Sequence, residues 1–125
     1  MNTSAQGLRV IVTAALRTPY AAAKWAIVGF TKSLAIELGT SNIRVNAIQP
    51  GVVEGERVNR VISARAEAAG IDFEASRQQF VSTISLRRMV SAQDIANMAL
   101  FLATPAGASI SGQALSVCGD HGALA

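Results

Sequence analysis

The sequence is poor in the residues that usually declare a chemistry. It has one cysteine, one histidine, three prolines, one tryptophan, one tyrosine and four phenylalanines in 125 residues. A single thiol, Cys118, excludes an internal disulfide and fits a reducing compartment, so the cytoplasm is the expected location. A lone His121 offers no ligand set at metal spacing; it reads as a residue of the tail. Cys118 reads as an ordinary small apolar residue rather than a reactive thiol. Only 15% of residues are charged while 50% are hydrophobic, a balance that argues against disorder. No apolar run approaches the ~20 residues of a membrane span. The first residues show no basic stretch leading into an apolar core, so no secretory signal is visible. The net charge is +3, but the basic residues are scattered. With no basic block and few aromatics for stacking, nucleic acid is not an expected partner. The length suits one domain, 1–125, with a core of its own.

What is present is organised around Thr18–Leu38. Thr18 can cap a helix, Pro19 suits its first position and Gly39 suits its C-terminal cap. Ile27, Phe30, Leu34 and Leu38 recur at helical spacing and are expected to face a core. Tyr20 and Lys24 are four apart and so share a face at the helix start. A phenol titrates near ~10, too high to carry protons well at neutral pH. An ammonium close by favours the phenolate and lowers that value. Tyr20 beside Lys24 is therefore a candidate general acid or base. The plain alternative is a surface tyrosine over a solvated lysine, because Tyr-x-x-x-Lys is a weak pattern by itself.

The flanking residues add to this pattern. Tyr20-Ala-Ala-Ala-Lys24-Trp25-Ala26, then Leu34-Ala-Ile-Glu-Leu38, then Ile43-Arg-Val-Asn-Ala-Ile-Gln-Pro50-Gly51 together resemble the short-chain dehydrogenase/reductase family. The resemblance runs from about Leu16 to Leu124 and covers the C-terminal half of a usual member. It implies that Tyr20 is the proton donor or acceptor. It implies that Lys24 holds the nicotinamide ribose of NAD or NADP and lowers the pKa of Tyr20. The family's Pro-Gly-x-Val stretch lies against the nicotinamide, which carries over to Pro50, Gly51 and Val53. The family often has threonine where this chain has Gly55, so the resemblance does not carry a pyrophosphate contact over to that position. The family's matching helix is also a principal subunit interface, so a homo-oligomer, most simply a two-fold dimer, is expected.

Elsewhere the elements read as follows. Leu8–Ala15 is an apolar, β-branched run expected to be a buried parallel strand. Two alignments compete for it. In one it precedes the catalytic helix, and the family's active-site serine falls on Gly7, with Ser4 three residues too early. In the other, which is preferred, it matches the family's first strand. The glycine-rich cofactor turn should then follow, yet no glycine stands between Val12 and Tyr20. That alignment implies that a large internal segment of the family pattern is missing. Asn42–Ile48 is the next strand, ended by Pro50-Gly51. Glu56–Ala69 is a helix with Val58, Val61, Ile62, Ala66 and Ala69 on one side. Asp72 caps a short helix carrying Phe73, Phe80, Val81 and Ile84. The family uses this region as a mobile substrate lid of variable sequence, so the substrate is not legible here. Ser91-Ala-Gln-Asp94 is a capping pattern. The helix it opens runs to Ala103, burying Ile95, Met98, Ala99 and Leu102. Gln113–Val117 resembles the family's last strand.

This order predicts an α/β fold, a truncated Rossmann-like parallel sheet of about three strands with helices. Three functions are compatible with it. The first is an NAD(P)-dependent oxidoreductase passing hydride between nicotinamide and a small carbonyl or alcohol substrate. The second is a non-catalytic oligomerisation module that keeps the family's surfaces without its chemistry. The third is that the sequence is an incomplete stretch of a complete enzyme.

Overall fold

The computed structural model describes residues 18–121. Within them the chain forms an α/β unit in the order α1 (Thr18–Gly39), β1 (Ala47–Pro50), α2 (Glu56–Ala69), α3 (Phe73–Val81), α4 (Ala92–Ala103) and β2 (Ala114–Val117). A short 3-10 turn, Pro105–Gly107, separates the last two. The strands β1 and β2 are parallel neighbours, pairing Ala47 with Ala114 through Pro50 with Val117. Two strands are thus described where about three were expected, and the run Leu8–Ala15 lies outside the described residues.

Local chemistry explains most of the boundaries. The hydroxyl of Ser91 accepts from the Asp94 N–H, and the Asp94 carboxylate accepts from the Ser91 N–H, a complete capping box. The Asp72 carboxylate accepts from the Ala75 N–H at 2.9 Å and starts α3. Gly70, with φ 65°, ends α2 in the left-handed conformation. At the end of α1 the expectation needs correction. Gly39 is the last helical residue, and Asn42, at φ 59°, makes the left-handed turn instead. A short amide side chain tolerates that region where most residues do not.

β1 also begins later than the sequence suggests. Asn42–Asn46 is held by side chains rather than by a ladder. The Arg44 guanidinium donates to the carbonyls of Gly107 and Ile110, and the Asn46 amide donates to Ile110 and accepts from the Gln113 N–H. Pro50 does not terminate the strand; it is its last residue. The N–H groups of Ala47 and Gly51 both point to β2, donating to Gln113 and Val117. By alternation the Pro50 nitrogen faces the other edge, where a missing donor costs no ladder bond.

The core is displaced from the sheet. Val58, Ile62, Ile84 and Met89 form its buried centre, with Val52, Phe80 and Val81 packed against it. Ile62 and Ile84 are fully enclosed. The Ser76 hydroxyl, on α3, donates to the Ile62 carbonyl of α2 and satisfies it inside this cluster. The segment expected as a lid therefore carries most of the buried core among the described residues. Val61 and Ala69 leave that side and are exposed. In α4, Ile95, Met98 and Leu102 are only half-buried and Ala99 is exposed, so the helix expected to bury them buries none fully. In α1 only Thr31 is buried, while Ile27 and Phe30, expected in a core, are exposed. The reason is geometric: α1 is apolar on nearly every side, and the described sheet can cover only one. His121 is not a free tail residue; it forms an antiparallel bridge with Ile84 and is half-buried.

Candidate active site

The packed stripe of α1 leads to the site. Thr31 is buried, Leu38 is half-buried, and a Cβ on Gly112 would lie 3.4 Å from that of Ala35. Lys24 and Tyr20 continue this stripe toward the helix N-terminus, Lys24 seven residues before Thr31 and Tyr20 four before Lys24. They therefore share the side of α1 that carries Thr31. Both are exposed there.

The axial position follows from two rises. Lys32 donates to the Gly112 carbonyl, and the Gly112 N–H donates to the Val45 carbonyl, so this part of α1 is level with the start of β1. Twelve helical residues back to Tyr20 cover about 18 Å. Six extended residues from Val45 to Gly51 cover about 20 Å. Because α1 turns back into β1, the two runs point the same way in space. By these rough lengths Tyr20 falls at about the axial height of Gly51, beyond the end of β1.

Lys24 Nζ lies 5.5 Å from the centroid of the Tyr20 ring. This is cation–π distance, with the ammonium over the ring face. Gly51 sits so close to Cys118 that a Cβ on it would meet the Cys118 Cα at 2.6 Å. Gly51 is thus required by packing alone. Val53 bridges Val90, and Val52 accepts from the Val90 N–H. Pro50, Gly51 and Val53 therefore run along one braced segment, tied first to β2 and then to Val90. Gly55, with φ 155°, follows without a side-chain cap for α2.

The donor set fits one end of a nicotinamide nucleotide. Lys24 offers three N–H donors suited to a ribose diol. Tyr20 offers an exchangeable proton, and Pro50–Val53 offers a braced apolar wall. The pyrophosphate end is another matter. Dinucleotide folds seat it on a glycine-rich turn at a helix N-terminus, and no such turn occurs among the described residues. Nor do they hold a group of three or more potential metal ligands. No described helix is long and apolar enough to cross a membrane.

Comparison with known proteins assigns the family. The family model described as enoyl-(acyl carrier protein) reductase matches residues 1–122. The chain belongs to the short-chain dehydrogenase/reductase family, an oxidoreductase family. It is 38% identical over 102 residues to a 7alpha-hydroxysteroid dehydrogenase of Escherichia coli, an alignment covering 82% of this chain and 36% of that one. Its fold superposes on a variant of actinorhodin polyketide ketoreductase with NADPH at TM-score 0.76 and 33% identity, covering 87% of this chain and 42% of that one. A short chain dehydrogenase family protein from Francisella tularensis subsp. tularensis gives TM-score 0.74 and 32% identity, over 83% of this chain and 43% of that one. The chain thus spans about two fifths of the length of the relatives it matches.

Proposed function

We propose that this chain carries the proton-transfer half of an NAD(P)-dependent short-chain oxidoreductase. The observation that supports this most is the Lys24 ammonium 5.5 Å from the Tyr20 ring centroid in the first turns of α1. In this reading Tyr20 Oη exchanges the proton with a carbonyl or alcohol oxygen of a small substrate. Lys24 holds the nicotinamide ribose through its N–H donors. Pro50, Gly51 and Val53 line the nicotinamide. A bound nicotinamide would supply the hydride acceptor or donor. NAD and NADP are both compatible with the residues present, since cofactor preference is set in a part of the family pattern that this sequence does not show. The test is a titration of this chain and of any longer form with NADH and NADPH. Binding that is lost in Lys24→Ala supports the assignment. Binding that survives in Lys24→Ala and is indifferent to Tyr20→Phe overturns it.

A second reading is favoured by a different observation. Trp25, Ile27, Phe30 and Ile36 are large apolar residues left 51–80% exposed on α1. Such a surface suits contact with a second copy of the chain, as a homo-oligomer. In that case the chain would serve assembly, with or without catalysis. The location expected from the thiol content, the cytoplasm, is part of the same proposal.

A further inference from the structure

Beyond Gly51 the chain leaves the shelter of β2, and something else must fix it. The Glu54 N–H donates to the Val90 carbonyl at 2.9 Å, and the Val90 N–H donates to Val52 at 3.0 Å. These two bonds hold the backbone of Val52–Glu54 from one side. The side chain of Glu54 is reached from another element. Arg77 Nη2 of α3 lies 3.2 Å from Glu54 Oε1, across 23 residues of sequence. The base from which Arg77 reaches is firm, because its neighbour Ser76 is buried and bonded to Ile62. The pair is half-open to solvent, with side chains 35% and 53% exposed.

We infer that Arg77 is a positioning residue for the candidate site: its charge fixes Glu54 and so steadies the Val52–Glu54 backbone, which carries Val53 of the nicotinamide wall. The functional meaning depends on the nicotinamide reading, but the structural claim does not. Arg77 reaches this segment through its ion pair with Glu54. An ion pair this exposed is screened by salt, and its removal is expected to change a local opening equilibrium only about two- to fivefold.

Amide hydrogen exchange on the chain, without cofactor, tests this. Arg77→Gln retains much of the side-chain stem and removes the charge. At low salt it should speed exchange at the Glu54 and Val90 amides about two- to fivefold and leave the Ala47 and Gly51 amides unchanged. Glu54→Gln should do the same. The double exchange Glu54→Arg with Arg77→Glu should restore protection, and high salt should erase the difference between wild type and single variants. Unchanged exchange at Glu54 and Val90, a uniform rise at all amides, or a failed charge swap each overturns the inference. A protein that binds no nicotinamide can still return any of these results, so failure of the functional reading is seen separately.

Discussion

A Cβ atom on Gly51 would lie 2.6 Å from the Cα and 2.8 Å from the carbonyl oxygen of Cys118. Both are backbone atoms, which cannot turn aside as a side chain could. The glycine therefore sets how closely the end of β1 approaches the segment after β2.

Gly51→Ala should accordingly destabilise the fold by about 1–3 kcal/mol, the usual cost of forced overpacking. Urea unfolding measures it. Cys118→Gly should rescue the variant only in part, because it removes the Cys118 Cβ at 2.8 Å but leaves the Cα and carbonyl oxygen in place. A Gly51→Ala protein within ~0.5 kcal/mol of wild type would show that the two segments separate freely.

Tyr20→Phe should leave folding nearly unchanged, since the residue is 56% exposed. In whatever form of the protein shows dehydrogenase activity, it should lower kcat at least ~10²-fold by removing the transferable proton. Lys24→Ala should raise the cofactor KM and lower kcat together. Steady-state kinetics decides, and a fully active Tyr20→Phe enzyme would sink the proton-transfer role.

The helix cap at Ser91 carries a pH signature. The Asp94 carboxyl is held below its ordinary value, first by the Ser91 backbone N–H, then by the Ser91 hydroxyl and by Arg88. A carboxylate with a depressed folded pKa adds stability above its unfolded value, near ~4, and loses it as pH falls through the folded value. Asp94→Asn should therefore flatten the acid limb of the stability curve below about pH 4. Ser91→Ala should cost ~1 kcal/mol at neutral pH. Thermal melts across pH 2–7 measure both, and an unchanged acid limb in Asp94→Asn would remove the cap from the account.

The chain alone is expected to bind NAD(P) weakly, because no pyrophosphate-seating glycine turn is found among the described residues. Calorimetry with each cofactor tests this. A dissociation constant in the low micromolar range or below would mean that other groups do that work.

Self-association is expected through the exposed side of α1, where Trp25 and Ile36 flank Gly29, beside which an added Cβ would meet no atom within 4 Å. A stable contact should bury more than ~1,000 Å² in total. Light scattering over a dilution series reads it, and Trp25→Glu should shift the balance toward monomer. A cooperative, monomeric melt at high concentration would contradict the expectation.

The three helices after β1 were legible because their signals are local. Asp72 and Ser91 accept N–H groups within three residues, and Gly70 needs only its own left-handed φ. The family was legible for a similar reason, since Tyr20, Lys24, Pro50 and Gly51 sit in contiguous runs. Burial was not legible on α1 or α4. Periodicity says which residues share a face, but only the neighbouring elements decide whether that face is covered. Ile27 and Phe30 keep helical spacing and stay in solvent, while Ile84, outside any helix, is fully enclosed.

The sequence by itself therefore determined where the helices start and stop, the αβ order and the chemistry that Tyr20 and Lys24 can offer. Each of these rests on groups within a few residues of one another. Tertiary structure alone decided that Gly51 abuts Cys118, that Arg77 reaches Glu54 and that Val53 meets Val90. It also placed the core under α2 and α3 rather than under the sheet. Those outcomes depend on contacts between distant segments, and no local propensity encodes which of several apolar faces finds a partner.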